Sequence, residues 1–234
     1  MSEFVNLFHN RYSTALIADA AFRAGVPLKI PAAGLAPLNQ QDKIAGPIRT
    51  VKANNDLVSI IGAIHRAQAG QIIVIANETY EVALIGDLIA TEAKRKGLAG
   101  IIVDGLVRDA TELLEINLPV ACRGLYPVGP LKLPAELKGI GQIGVEIMVG
   151  NVQARPGDWA FADADGVILL AEEDLKASFE WAERSWRREE ALAAEIRSGR
   201  ALGDLFEIER YLEARIQNPQ ADFNQHLAAL KKAI

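Results

Sequence analysis

Arg108 and Asp109 stand side by side just past the apolar run Ile101-Ile102-Val103, in the stretch GIIVDGLVRDATE (100–112). Arginine offers a planar fork of donors that matches a carboxylate. Its charge keeps a neighbouring aspartate ionised, and an ionised carboxylate can hold a hard cation such as Mg²⁺ or Mn²⁺. The pair therefore has two readings. One is a solvated loop ion pair worth about 0–1 kcal/mol. The other is a site that holds an anion with one residue and a cation with the other. A second candidate lies upstream, at Gly86-Asp87-Leu88-Ile89. The first N–H groups of a helix have no partner inside it and form a partly positive end. A glycine ahead of them lets an oxygen anion approach the backbone. Here the plainer reading is an N-cap at Asp87 and a turn at Gly86.

Glu189 is the third candidate. Leu175, Phe179, Ala182, Trp186, Ala193 and Ile196 mark an apolar stripe at helical spacing, and position 189 is its missing member. A carboxylate on such a stripe needs a partner or a metal, or it becomes neutral. Arg184, Arg187 and Arg188 could pair with it, and Glu190 competes for the role. The three histidines, His9, His65 and His226, are far apart, and no Cys/His spacing exists, so a zinc site is not expected. Any metal would sit among carboxylates and water, which favours Mg²⁺ or Mn²⁺. No G-x-S-x-G, P-loop or G-x-G-x-x-G motif occurs. Cys122, the only cysteine, has no adjacent histidine and reads as a packing residue.

These candidates must be positioned by an α/β body. Of the 234 residues, 50% are apolar and 24% charged, as in ordinary globular proteins, and the net charge of −5 makes nucleic acid a poor partner. The apolar runs are too short to cross a membrane. No basic and apolar leader opens the chain, so a cytoplasmic location is expected. Residues 11–25 read as a helix capped by Ser13 or Thr14. A strand opens at 46–51, a helix follows over 57–68, and Ile72–Ala76 reads as a strand covered on both faces. Asp87–Lys96 is a helix between Gly86 and Gly97. The strands Ile101–Val103 and Pro119–Ala121 follow, then a Gly- and Pro-rich segment, 126–157, with β-prone pieces such as Ile147-Met148-Val149. Trp159–Leu170 reads as a hairpin around Asp163-Ala164-Asp165-Gly166. From Glu172 the pattern is helical, with further helices at Leu205–Ile216 and Phe223–Leu230. The expected division is a body, 1–171, and a helical tail, 172–234, packed on the body or on a neighbouring subunit.

The stretch GDLIATEAKRKGLAGIIVDGLVRD (86–109) resembles the 4-hydroxy-4-methyl-2-oxoglutarate aldolases, a family that also holds 4-carboxy-4-hydroxy-2-oxoadipate aldolases and the regulator of ribonuclease activity A. STALIADAAFRAG (13–25), LPVACRGLYP (118–127) and RPGDWAFADADGVILL (155–170) extend the resemblance over most of 13–170. Beyond 172 it is loose, carried by RREEALAAEIRSGR (187–200). It implies an α/β/β swivelling-type (phosphohistidine-domain-like) body with a C-terminal helical extension, assembled as homotrimers or homohexamers. It implies a Mg²⁺- or Mn²⁺-dependent pyruvate aldolase with oxaloacetate decarboxylase activity, working at a subunit boundary. By position, Arg108 would bind the carboxylate and keto end of the substrate, and Asp109 would hold the metal. The amides around Leu88 and Ile89, behind Gly86, would meet the pyruvyl carboxylate, and Asp87 a metal-bound water. A glutamate from a neighbouring subunit would complete the metal shell: Glu189, with Glu190 or Glu183 as fallbacks. The alternative within the same family is a non-catalytic regulator that binds a ribonuclease or another protein.

Overall fold

The structure is a computed structural model that describes residues 2–77 and 82–230. Its internal contacts group into two compact units, Met1–Phe179 and Glu180–Ile234. The first holds an eight-stranded mixed sheet. Four parallel strands, Ile44–Lys52, Ile72–Ala76, Gly100–Asp104 and Val120–Cys122, form its centre. The hairpin Trp159–Asp163/Gly166–Leu170 closes one side antiparallel to Ile44–Lys52. Ala36–Pro37 borders Val120–Cys122 on the other.

The continuous apolar runs follow from burial on both faces. Ile73 and Ile75 join one core with Ile101 and Val103, while Ile72 and Val74 join a second with Ile102. Side chains alternate across a strand, so a two-faced strand must be apolar at every position. The first core is shared with the helices α3 (Leu57–Arg66), α4 (Asp87–Arg95) and α5 (Ala110–Ile116), numbered after α1 (Glu3–Asn10) and α2 (Thr14–Ala24). Ser13 caps α2, its hydroxyl accepting from the Leu16 amide, and Asp56 caps α3 through the Val58 and Ser59 amides. The helices α1 and α5 lie outside the sequence expectations. Each is too short to show more than two turns of periodicity.

The long helix α6, Leu175–Arg197, starts in the first unit, where Phe179 packs against Phe4, Tyr12 and Phe161. In the second unit, Leu192, Leu205, Phe206 and Leu227 form a small core of their own. No helix among the described residues is long and apolar enough to cross a membrane.

A second, three-stranded parallel sheet carries the site. Its strands are Ala83–Ile85, Leu106–Val107 and Gly124–Leu125. Two of them follow at once on central strands of the main sheet, after single residues at Gly105 and Arg123. The chain bends there around a buried ion pair. Arg123 Nε lies 2.5 Å from Asp104 Oδ1, the Gly150 amide donates to Asp104 Oδ2 at 2.5 Å, and Arg123 Nη1 donates to the carbonyls of Ala32 and Ala33. Both side chains of the pair are largely buried. Removing one partner of a buried pair leaves a charge without compensation. Arg123→Ala is therefore expected to lower the unfolding free energy by about 3 kcal/mol or more, read from urea denaturation. A change below about 0.5 kcal/mol, the level of an ordinary surface substitution, would show that the pair does not hold the bend.

Candidate active site

Pairing of two very short strands brings the candidate residues together. Ile85 is in register with Val107, so Gly86-Asp87 and Arg108-Asp109 leave neighbouring parallel strands at the same end. The Arg108 amide donates to the Ile85 carbonyl at 2.9 Å and completes the join. The strand Ile101–Val103 lies one element away from this register. The distance between the two halves of the site is set by Ala83–Ile85 against Leu106–Val107, a pairing that the sequence patterns do not reveal.

The helix start differs in detail from a simple N-cap at Asp87. Gly86 is the N-cap of α4 and Asp87 its first residue. The Asp87 amide donates to Asp109 Oδ2 at 3.2 Å, and the Leu88 amide donates to Asp87 Oδ1 at 2.7 Å. Two of the orphan donors at this end thus already face carboxylates, and any anion entering there would compete with them. Asp109 sits in the left-handed region, at φ 58°, at the head of α5, and makes no side-chain cap there. Its carboxylate serves the start of α4 instead. Arg108 Nε lies 3.4 Å from Asp109 Oδ2, and the two side chains are 45% and 31% exposed, open enough to meet a ligand.

Gly86 has a different purpose from the one its type suggests. Its backbone is extended, which any residue adopts. A Cβ at this position would stand 2.3 Å from Asp109 Oδ2 and 3.2 Å from Arg108 Nε. The space that glycine leaves is filled by the site's own side chains. Gly129 performs a similar service on the far side, where a Cβ would lie 3.0 Å from Arg108 Nη1. Arg108 is thereby held between two glycines. The second belongs to a loop joined to Ala83–Ile85 by the Ala83 amide, which donates to the Val128 carbonyl at 2.8 Å.

Beside Arg108 lies a cavity of about 340 Å³, bordered by Gly86, Asp87 and Gly129. Leu88 and Ile89 also line it, and Lys132 adds a second cation. Lys132 was not visible as a site residue in the sequence, because it follows Gly129-Pro130-Leu131 in a segment with no periodic pattern.

Glu189 requires a correction. It is exposed in the chain, not buried on the stripe, as is Glu190. The buried positions of α6 include Leu175, Phe179, Ala182, Ser185 and Leu192, so the stripe passes over 189 with that position left open to water. Glu183 is half-buried and accepts from Arg187 Nε at 2.6 Å. No group of three or more His, Cys, Asp or Glu residues able to hold a metal occurs among the described residues. The donor set of one chain is two carboxylates, Asp87 and Asp109. Each has one oxygen with no protein hydrogen bond among the described residues. That fits Mg²⁺, which keeps several waters and takes one or two carboxylates. Cys122 is buried, and burial pushes its thiol up, as suits a packing residue.

The chain belongs to the RraA-like family, described as Aldolase/RraA, which matches residues 14–169. A relative from Halalkalibacterium halodurans, named "Putative 4-hydroxy-4-methyl-2-oxoglutarate aldolase", is 35% identical over 185 residues, 78% of this chain and 83% of its own length. A crystal structure of an uncharacterized protein from Pseudomonas syringae pv. tomato shares the fold, with TM-score 0.73 at 21% identity, covering 86% of this chain and 95% of that one. The RNA-processing inhibitor RraA from Thermus thermophilis superposes with TM-score 0.58 at 25% identity, over 67% of this chain and 92% of its own. The body is thus the α/β/β swivelling type that the sequence resemblance implied, with a helical C-terminal part.

Proposed function

We propose that the protein is a divalent-metal-dependent carbon–carbon lyase. It cleaves a 4-hydroxy-2-oxo acid of the 4-hydroxy-4-methyl-2-oxoglutarate type into pyruvate and a second 2-oxo acid, and it decarboxylates oxaloacetate through the same pyruvate enolate. The observation that carries this reading is the meeting of Gly86, Asp87 and Arg108 at one cavity, with Asp109 next to them in the volume that a Cβ at 86 would fill.

Cleavage between C3 and C4 leaves negative charge on C3, which must spread onto the 2-oxo group. Arg108 holds the 1-carboxylate and the 2-oxo oxygen with its fork and offers fixed positive charge where that charge develops. The positive end of α4 adds to it. Asp87, which lines the cavity, takes the proton of the C4 hydroxyl on its free oxygen, directly or through one water. Asp109, with water, would hold Mg²⁺ or Mn²⁺, and the cation would supply Lewis acidity at the 2-oxo group. In this reading the chain works as a homotrimer or homohexamer in the cytoplasm, and Glu189 of a neighbouring subunit adds a ligand to the cation.

Pyruvate release from 4-hydroxy-4-methyl-2-oxoglutarate and from oxaloacetate is expected to fall to background in EDTA and to return with Mg²⁺ or Mn²⁺. Equal rates with and without chelator would overturn the metal-dependent reading. The likeness to an RNA-processing inhibitor supports a second reading, a protein-binding regulator. That reading needs no turnover, so absence of pyruvate from both substrates with metal present would favour it.

A further inference from the structure

We infer that Asn55 is a positioning residue. Its side chain fastens the segment 129–141, which brings Gly129 and Lys132 to the cavity beside Arg108, to the end of the central sheet. The kinetic consequence rests on the lyase reading above, and the fastening itself is measured without turnover. Asn54 and Asn55 lie between the strand Ile44–Lys52 and α3, and both are left-handed, at φ 49° and 59°. Residues other than glycine rarely take this conformation, and asparagine takes it more readily than most. Two in succession store strain, which persists only where the surroundings fix it.

Here the surroundings are hydrogen bonds. The Asn55 amide donates to Asn77 Oδ1 at 3.0 Å, and Asn55 Oδ1 accepts from Asn77 Nδ2 at 2.8 Å. Asn77 directly follows the central strand Ile72–Ala76, so this amide pair is seated on the sheet. Asn55 Nδ2 then donates to the Leu137 carbonyl at 2.9 Å. The flanking residues hold the same segment. Asn54 Nδ2 donates to the Ile140 carbonyl at 3.0 Å, the Gly139 amide to the Asn54 carbonyl at 2.9 Å, and the Gly141 amide to Asp56 Oδ2 at 3.1 Å. Between these ties and the one at Val128 lie two 3₁₀ turns, Pro130–Lys132 and Ala135–Leu137. Within the chain, residues 131–140 are exposed except for the half-buried Leu133. Burial within the chain holds them weakly, so the ties set where Lys132 stands. Of residues 54–56 only Asn55 is buried, and a buried hydrogen bond is the costlier one to lose.

The test is Asn55→Asp in the full-length chain. Aspartate has the same shape, tolerates the left-handed backbone and still accepts from Asn77 Nδ2, but an ionised carboxylate cannot donate to the Leu137 carbonyl. Asn55→Gly is the second variant, free of backbone strain and without any side-chain bond. Amide hydrogen exchange of 129–141 is measured beside kcat and KM for pyruvate release with Mg²⁺. In both variants exchange across 129–141 is expected to rise at least about tenfold, with Ile72–Ala76 unchanged. KM is expected to rise at least about fivefold with kcat within about threefold, the pattern of lost binding that is equal in the ground and transition states. Ser13→Ala, which removes the cap of α2, is the control for general destabilisation and should change neither. Unchanged exchange across 129–141 in both Asn55 variants overturns the inference, as does an equal response in Ser13→Ala. Faster exchange with KM as in wild type overturns the positioning role. A wild-type chain that releases no pyruvate overturns the lyase reading, and exchange alone then judges the fastening.

Discussion

Arg108→Ala is expected to reduce kcat/KM for pyruvate release by about 10²–10³-fold, the usual effect of removing a group that stabilises developing oxyanion charge. The fold should survive the change. The Arg108 side chain is 45% exposed, and its close neighbours are Asp109 and the two glycines at 86 and 129, not the core. Arg108→Lys keeps the charge but loses the bidentate fork, so it should recover less than about a tenth of the wild-type value. The melting temperature and the oligomeric state of both variants are measured beside the kinetics. Turnover within threefold of wild type would remove Arg108 from the chemistry. Unfolding of both variants would return the pair to a structural role.

Gly86→Ala tests the packing that unites the two halves of the site. Its backbone, at φ −140° and ψ −168°, suits alanine as well as glycine, so the substitution carries no conformational penalty. The new methyl would meet Asp109 Oδ2 at 2.3 Å and Arg108 Cγ at 3.3 Å. Asp109 cannot retreat easily, because its backbone is held at the head of α5, where the Leu113 amide donates to its carbonyl at 2.8 Å. The carboxylate must turn away, and Arg108 with it. Misplacement of about 1 Å can cost about 10²-fold, so activity should drop at least that far. The stability loss should stay near the low end of the roughly 1–3 kcal/mol typical of overpacking, since the displaced groups reach solvent. Gly129→Ala is the graded control. Its methyl would press on the far end of the Arg108 side chain, at 3.0 Å, and that end can shift, while the Ala83 carbonyl at 3.8 Å is an ordinary contact. A smaller loss is expected, near tenfold. Equal activity in Gly86→Ala and wild type would show that Asp109 need not lie where it does.

The site was legible in its parts. Residue chemistry marked Arg108, Asp109 and the start of α4, because an Arg-Asp pair after a buried strand and a glycine before a helix are local features. The resemblance of 86–109 to the aldolases joined them. Their geometry was not legible. Leu106–Val107 and Gly124–Leu125 are two residues long and Ala83–Ile85 three, too short for any period to show. They exist because their parallel partners exist. Glu189 failed as a buried residue because helical spacing reports which face a residue occupies, not whether anything covers that face.

What the amino-acid sequence determined by itself is the set of central strands and their flanking helices. Apolar runs such as Ile72–Ala76 and Gly100–Asp104 are buried on both faces, and Ser13 and Asp56 supply the caps. These follow from interactions within a few residues or from the demand to leave water. Only the tertiary structure decided that Asp109 spends its carboxylate on the Asp87 amide, that Gly86 is empty to make room for it, and that Lys132 reaches the same cavity. Each of those depends on contacts between segments far apart in the chain, and their distances are set by the register between strands.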